Sequence, residues 1–278
     1  MINQYPFLPN SNIEIIEPQI ERGQIRYALF DFDGTLSLIR EGWQAIMIPM
    51  MVEILMETPC HEGRDQVEQV VKEFVTRLTG KQTVYQMIQL CEEITRCGGT
   101  PLEPLHYKHI FNERLNQHIG NRLADLRAGR ASREEMTVPG TYDWMDCLKK
   151  HGVTCYLASG TDECYVLDEM DLLGLTPYFS GIYGAQDNYQ NFSKKMVIDQ
   201  IIQTHRLSGS QFVAFGDGYV EIEDSKAVNG IAVGVASDEK NRCGVDAWKR
   251  GRLISAGADL IIPDFRETNL LESYLFAS

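Results

Sequence analysis

The amino-acid sequence predicts an α/β protein whose mostly parallel sheet is interrupted by an all-helical insertion. Three observations support this prediction. Residues 27–30 form a short apolar run typical of an inner strand, helical periodicity dominates residues 41–133, and strands alternate with helices after residue 138. We therefore expect an α/β core domain made of residues 1–37 and 137–278, and a helical domain made of residues 38–136.

The first buried strand leads directly to two acidic residues, Asp31 and Asp33, and then to Gly34. Ligands of parallel α/β sheets bind outside the carboxyl ends of the strands, so this pair indicates a functional site. The alternative is an exposed Asp-Gly turn that closes a hairpin. It fits less well because the preceding strand is too apolar for an exposed edge. Upstream, residues 12–26 form two short extended pieces, for which we predict an edge hairpin on the main sheet.

The helical insertion is predicted from apolar side chains that recur at helical spacing. One stripe consists of Val84, Met87, Ile88, Cys91 and Ile94, and another of Phe111, Leu115, Ile119, Leu123 and Leu126. Turn-forming residues at 58–59, 79–80 and 97–101 divide the segment, so we expect roughly four helices.

After residue 138 the pattern changes to strands that alternate with helices, which implies right-handed crossovers in a parallel sheet. The predicted strands cover residues 153–158, 212–215, 231–235 and 259–262. The predicted helices begin at Thr141, at Thr161, near Val197, near Val220 and near Trp248. Polar residues at the carboxyl ends of these strands are expected to lie near Asp31.

The acidic composition excludes some classes of partner. The 278 residues carry a formal net charge of −13, which argues against nonspecific binding to nucleic acid or to anionic membranes, because both need a basic surface. A phosphorylated substrate stays compatible with this charge, since a metal ion and a few local cations can hold it. The sequence does not predict an oligomeric state.

A cytoplasmic location is expected from the cysteines and the N-terminal residues. The seven cysteines include no CxxC pair, which favours reduced thiols. Residues 1–10 lack the pattern of a secretory signal peptide, and the longest apolar run, residues 46–52, is too short to cross a bilayer.

A first polar segment, Ser159-Gly160-Thr161, follows the predicted strand at 153–158. We expect a helix to begin there at once, so that Ser159 and nearby backbone N–H groups suit a phosphate. The alternative interpretation is that Ser159 or Thr161 is only a helix N-cap.

A second segment places Lys194 and Lys195 at the start of a predicted helix. Cations at this position oppose the helix dipole, and an anionic ligand would account for them. Two solvated surface lysines are the alternative.

A third segment ends a buried strand in Gly216-Asp217-Gly218, with Glu221 one helical turn further on. Carboxylate ligands of this kind suit Mg²⁺. A Gly-Asp-Gly turn without a metal is the alternative.

Together, these segments resemble the four motifs of the haloacid dehalogenase superfamily, which are DxDxT, a strand-end Ser or Thr, a helix-start Lys and a strand-end acidic pair. They stand here as Asp31-Phe32-Asp33-Gly34-Thr35, Ser159, Lys194, and Asp217 with Glu221. The resemblance covers essentially the whole core and implies a Rossmann-like parallel sheet. The helical insertion looks like the family's α-helical cap, of the type found in phosphoglycolate phosphatase-like and β-phosphoglucomutase-like members.

The resemblance also implies roles for individual residues. Asp31 would be the nucleophile that forms an aspartyl-phosphate, and Asp33 the general acid and base. Mg²⁺ would be held by Asp31, by the backbone carbonyl of Asp33, and by Asp217. Glu221 stands where many members carry Asp, so its contact with the metal is either direct or through water. The phosphate-binding residues would be Thr35, Ser159, Gly160 and Lys194, with Lys195 as the alternative lysine. Thr35 would also orient the first motif.

The expected function is that of a Mg²⁺-dependent phosphatase for a small phosphorylated metabolite, such as a sugar phosphate. A β-phosphoglucomutase-like phosphomutase and a non-catalytic regulator that binds Mg²⁺ and phosphate are the alternatives. Arg40, Trp43 and Lys81 are candidate substrate contacts, and ordinary surface or packing positions are the alternative for each. Residues 237–256 are longer and more charged than the family's usual last crossover, and the sequence suggests no function for them.

Overall fold

A seven-stranded sheet forms the α/β part of the chain in a computed structural model that describes residues 5–277. The strand order is β1-β7-β6-β5-β2-β3-β4. The strands are β1 (Glu14–Ile15), β2 (Tyr27–Phe30), β3 (Thr154–Asp162), β4 (Phe179–Ala185), β5 (Phe212–Gly216), β6 (Ile231–Val235) and β7 (Leu260–Ile262). All adjacent pairs are parallel except β1 with β7.

Strand β2 lies at the centre of the sheet, between β3 and β5. Phe30 pairs with Leu157 of β3 on one side and with Phe215 of β5 on the other. These side chains are fully buried, which accounts for the apolar run of β2. Because the three strands are parallel and in register, their carboxyl ends meet at one edge of the sheet.

Four α-helices lie within residues 38–136, as the helical periodicity predicts. They are α1 (Gln44–Met56), α2 (Arg64–Leu78), α3 (Thr83–Arg96) and α4 (Pro104–Arg127). The chain enters and leaves this region at adjacent points, since Ser37 forms an antiparallel bridge with Thr137. The division into a core of residues 1–37 and 137–278 and a cap of residues 38–136 remains a prediction.

The remaining α-helices lie between strands of the sheet, except the last, which follows β7. They are α5 (Thr141–Lys150), α6 (Glu163–Leu173), α7 (Lys194–His205), α8 (Tyr219–Ala227), α9 (Ala247–Ser255) and α10 (Thr268–Phe276). Between residues 5 and 277 no helix combines the length and the apolar character that a bilayer span requires.

The structure corrects three expectations about elements. Strand β3 continues to Asp162, because Asp162 pairs with Ala185 of β4; helix α6 therefore begins at Glu163, and the helix expected at Thr161 is wrong by two residues. The edge piece β1 pairs with β7, and its Glu14 also bridges to Phe7, so the hairpin expected within residues 12–26 is not formed. Strand β4 and helix α10 are absent from the expected elements.

Candidate active site

The two aspartates after β2 lie at the carboxyl edge of the sheet. The N–H group of Asp31 donates to the carbonyl of Phe215 at 3.0 Å, so this residue extends the strand pairing by one position. Gly34 then turns the chain with φ at +74°, and a Cβ atom there would lie 2.3 Å from Oδ2 of Asp217. Only glycine fits this close approach.

Lys194 joins the first aspartate to the fourth predicted motif. It is the first residue of α7, and its buried Nζ lies 2.7 Å from Oδ1 of Asp31 and 2.9 Å from Oε2 of Glu221. Burial alone would lower the pKa of this ammonium, but the carboxylates of Asp31 and Glu221 outweigh burial and raise the pKa. A charged lysine is therefore fixed beside Asp31. The neighbouring Lys195 is exposed and pairs with Asp199.

Asp217 and Glu221 complete an acidic cluster with Asp31. The N–H group of Asp217 donates to Oγ1 of Thr35 at 3.0 Å, and Oε1 of Glu221 accepts from the N–H group of Gly218 at 2.8 Å. One carboxylate oxygen from each of Asp31, Asp217 and Glu221 lies within 4.8 Å of the others. An all-oxygen donor set of this kind fits Mg²⁺ better than a soft metal.

The end of β3 contacts the second aspartate. The hydroxyl of Thr161 donates to Oδ2 of Asp33 at 2.7 Å, and Oγ of Ser159 accepts from the N–H group of Thr161 at 3.1 Å. Burial raises the pKa of the Asp33 carboxyl, against the opposing effects of Arg40 and of the Thr161 hydrogen bond. Oδ1 of Asp33 is buried and has no hydrogen-bond partner within the described part of the chain.

A cavity of about 100 Å³ lies between the sheet edge and helices α1, α3 and α4 with the α2–α3 turn. Among its lining residues are most of the predicted site positions: Asp31, Asp33, Arg40, Trp43, Lys81, Ser159, Gly160, Lys194 and Asp217. Thr35 and Glu221 are fully buried and do not contribute to its lining among residues 5–277. The structure thus gathers the four motifs at one place, although Ser159 lies on an extended strand and not at a helix N-terminus.

The candidate substrate contacts differ in what their side chains do. The guanidinium of Arg40 is buried and pairs with the Glu169 carboxylate, with Nη2 at 2.6 Å and Nε at 3.0 Å from Oε1. This pairing commits two of the five N–H donors of the guanidinium to a structural contact. Lys81 is exposed, and its backbone carbonyl is the part that approaches the sheet, because a Cβ atom on Gly160 would lie 2.9 Å from it. Trp43 lies at the N-terminus of α1 and contributes to the cavity wall.

Three residues near the site do not follow from the sequence motifs. They are Thr161, which bonds Asp33, and Glu239 with Lys249, which lie beside Asp217. The only available signal for the last two was the unusual length and charge of residues 237–256. Which strand end that segment meets depends on the fold, so sequence spacing alone does not locate them.

The comparisons with known proteins agree with this fold. The model of the haloacid dehalogenase-like hydrolase family matches residues 25–228. A predicted phosphoglycolate phosphatase from Haemophilus somnus is 15% identical, with 89% of this chain and 98% of that chain covered and a TM-score of 0.59. A β-phosphoglucomutase from Clostridium difficile is 12% identical, with coverage of 90% and 97% and a TM-score of 0.60.

A third similar structure is that of CbbY from Rhodobacter sphaeroides in complex with xylulose 1,5-bisphosphate. It is 16% identical, with 87% of this chain and 96% of that chain covered and a TM-score of 0.55. No curated protein matches the sequence.

The chain is thus an α/β protein with an acidic site at the carboxyl edge of a mostly parallel sheet, under a layer of helices. The family match covers most of the chain, and the chain belongs to the haloacid dehalogenase-like hydrolases.

Proposed function

We propose that this enzyme is a Mg²⁺-dependent phosphatase that hydrolyses a small phosphate monoester through an aspartyl-phosphate. The observation that carries the proposal is the position of Asp31. Its carboxylate is 2.7 Å from a charged lysine, belongs to a three-carboxylate cluster, and lines a closed-over cavity. A carboxylate nucleophile, a cation for phosphoryl oxygens and a metal site are the parts that phosphoryl transfer requires.

The acidic cluster supports the proposed cofactor. Asp31, Asp217 and Glu221 would supply carboxylate oxygens to Mg²⁺, and the resemblance adds the backbone carbonyl of Asp33. When bound, the ion would neutralise negative charge on the carboxylates and on the phosphoryl group. Lys194 and Ser159 would hold the remaining phosphoryl oxygens.

The first chemical step is a displacement at phosphorus. A carboxylate oxygen of Asp31 attacks the phosphorus atom, and the bond from phosphorus to the leaving oxygen breaks. Asp33 gives its carboxyl proton to that oxygen, which leaves as an alcohol. The raised pKa of Asp33 favours this role, because a general acid must carry its proton near the working pH.

The second step returns the enzyme to its starting state. A water molecule attacks the phosphorus of the aspartyl-phosphate, and the carboxylate of Asp33 takes a proton from that water. The bond between phosphorus and Asp31 breaks, and inorganic phosphate leaves. The unpartnered, buried Oδ1 of Asp33 is an acceptor that substrate or water would satisfy, which accounts for an orphaned atom at this position.

The size of the cavity supports a small substrate. A volume of about 100 Å³ under the helices leaves little room beyond a phosphoryl group and a compact leaving group. A sugar phosphate fits this description, and the similar CbbY structure holds a sugar bisphosphate.

The seven unpaired cysteines support the cytoplasmic location that we propose with this activity.

The proposal is tested by phosphate release from a panel of small phosphorylated metabolites with Mg²⁺. We expect release from at least one of them, and we expect Asp31→Asn to lower that rate by at least roughly 10³-fold, because the nucleophile is lost. Asp199→Asn, at an exposed ion pair with Lys195, is the matched control and should keep the wild-type rate.

The same panel separates the alternatives. Equal rates for Asp31→Asn and the wild type would contradict the catalytic assignment. An isomeric sugar phosphate from a β-sugar 1-phosphate, without free phosphate, would favour a phosphomutase. No turnover of any compound would favour a binding protein.

A further inference from the structure

Helix α9 and the segment before it connect two parts of the proposed site. Asp246 is the N-cap of this helix, and its Oδ1 accepts from the N–H group of Lys249 at 2.8 Å. Lys249 and Arg252 are three residues apart, so their side chains share one face of the helix. The side chain of Lys249 reaches the sheet edge, and the side chain of Arg252 reaches helix α2.

Lys249 is buried against the carboxylate of Asp217. Its Nζ lies 2.8 Å from Oδ2 of Asp217, 2.7 Å from Oε1 of Glu239 and 3.2 Å from Oγ of Ser237. An ammonium has three protons, and all three are used by these acceptors. Lys249 therefore has no donor left for a substrate, and its function is to hold the groups around it.

The same network reaches the turn that follows the paired aspartates. The hydroxyl of Ser237 donates to the carbonyl of Gly34 at 2.6 Å. Lys249 thereby links the Asp217 carboxylate to the chain immediately after Asp33. The contact at Oδ2 of Asp217 leaves Oδ1 for a cation.

Arg252 holds the turn between α2 and α3. Its Nη1 donates to the carbonyl of Thr76 at 2.7 Å, and its Nη2 donates to the carbonyls of Arg77 and Thr79 at 2.8 and 2.9 Å. The last carbonyls of a helix lack partners within the helix, and one guanidinium satisfies three here. Thr79 and the two residues after it line the cavity.

We propose that helix α9 is a brace of the active site, in which Lys249 positions Asp217 for a divalent cation and Arg252 holds the α2–α3 turn over the cavity. The first half rests on the proposed function, because it assumes that Asp217 binds Mg²⁺. The second half depends only on the contacts of Arg252.

The sign of the change in Mg²⁺ affinity separates positioning from simple charge repulsion. Loss of a positive charge alone would tighten the binding of a cation. Loss of the brace leaves Asp217 and Glu239 as half-buried carboxylates without the ammonium between them, and their repulsion turns Asp217 away from the cavity. We expect the second effect to dominate.

Mg²⁺ binding is measured by isothermal titration calorimetry on the full chain. Lys249→Met should weaken the affinity by roughly 10- to 100-fold, the range for lost partners of metal ligands. Lys240→Met, an exposed lysine of the same segment, should bind as the wild type does. An unchanged or tighter affinity in Lys249→Met would overturn the positioning role.

Two further results keep this test decisive. If Lys249→Met does not fold, Lys249→Arg keeps the charge but changes its geometry, and it should still weaken binding several-fold; wild-type affinity would again overturn the proposal. If the wild type itself binds no Mg²⁺, the result contradicts the Mg²⁺ dependence in the proposed function, and it also contradicts the role of Lys249 in positioning a metal ligand. The test of Arg252 is independent of both.

Amide hydrogen exchange tests the second half. Arg252→Ala should increase exchange at residues 79–82 by at least roughly tenfold, because the turn loses three hydrogen bonds. Arg250→Ala is the matched control, since that side chain pairs with Glu14 on the other side of the helix. Equal exchange at these residues in Arg252→Ala and the wild type would overturn the brace.

Discussion

At the scale of single residues, the two aspartates of the site have identical carboxyl groups but different contacts. Asp31 contacts the ammonium of Lys194, whereas Asp33 contacts the hydroxyl of Thr161. Burial raises the pKa of both carboxyl groups; the ammonium of Lys194 opposes burial at Asp31, and the guanidinium of Arg40 and the Thr161 hydrogen bond oppose it at Asp33. The contacts therefore differ in geometry: Asp31 lies beside a cation suited to phosphoryl oxygens, and Asp33 is oriented by a hydroxyl.

The hydrogen bond from Thr161 gives a residue-scale prediction. Thr161→Val removes the only side-chain donor to Asp33 seen within residues 5–277, and a hydrogen bond to a charged group contributes about 1.5–3 kcal/mol. We expect kcat for the substrate found in the panel to fall by about 10- to 100-fold, with little change in KM. Steady-state kinetics measure both constants.

Thr154→Val provides the control for this prediction, because Thr154 lies at the other end of the same strand. Its kinetic constants should equal those of the wild type. A kcat for Thr161→Val within twofold of the wild type would show that Asp33 needs no orientation from this hydroxyl.

At the scale of elements, two elements of the helical region close over the sheet edge. Nζ of Lys108 on α4 lies 2.7 Å from Asp162 and 2.8 Å from Asp187, and it is almost fully buried. The α2–α3 turn rests on two glycines of the core, Gly160 and Gly218. These contacts fix the positions of α4 and of the α2–α3 turn relative to the sheet edge.

The glycine under the turn gives an element-scale prediction. A Cβ atom in Gly160→Ala would lie 2.9 Å from the carbonyl oxygen of Lys81 and 3.2 Å from its carbonyl carbon, so the backbone of the turn must move. We expect the free energy of unfolding to fall by about 1–3 kcal/mol, as in other overpacked sites, and KM to rise. Chemical denaturation and steady-state kinetics test the two expectations.

A second glycine in the helical region separates this effect from a general intolerance of substitution. Gly120 lies within α4, and no atom lies within 4 Å of a Cβ built on it. Gly120→Ala should therefore leave KM unchanged and stabilise the chain by about 0.5–1 kcal/mol. If Gly160→Ala behaved in the same way, the turn would not be held against the sheet.

Sequence patterns predict the elements whose signals are local. The apolar run of β2 and the helical stripes of α3 and α4 are complete within short windows. Strand β4 lacks such a signal, because Ser180, Gly181 and Gly184 interrupt its apolar residues, and only pairing with β3 makes it a strand. The same pairing extends β3 past Ser159, which overrides the expected start of a helix.

At the scale of the whole molecule, the parallel topology explains why distant motifs could be assembled from sequence. Asp31 and Asp217 follow parallel strands that are neighbours in the sheet, so the order of elements alone brings them together. The order of elements does not predict the position of Lys249 in this way. Lys249 follows a long irregular segment and reaches the site from the side. Residues that support a site from outside its strand ends are therefore found only in the folded chain.

The cysteines provide a prediction that depends on the whole fold. Cys60, Cys164 and Cys243 are exposed, whereas Cys155 is buried in β3, where it pairs with Ala28 of β2. Burial raises the pKa of the Cys155 thiol to about 12, so thiolate is scarce there at pH 8. Because the thiolate is the reactive form, iodoacetamide should modify the three exposed cysteines first.

Labelling of Cys155 should require opening of the central sheet, so its rate reports global unfolding. Peptide mass spectrometry after a timed pulse at pH 8 measures each site, and labelling in urea, where all seven cysteines should react, is the control. Modification of Cys155 as fast as that of Cys243 in the native protein would mean that β2 and β3 separate readily. The aspartates at the end of β2 would then lack the rigid support that their proposed chemistry needs.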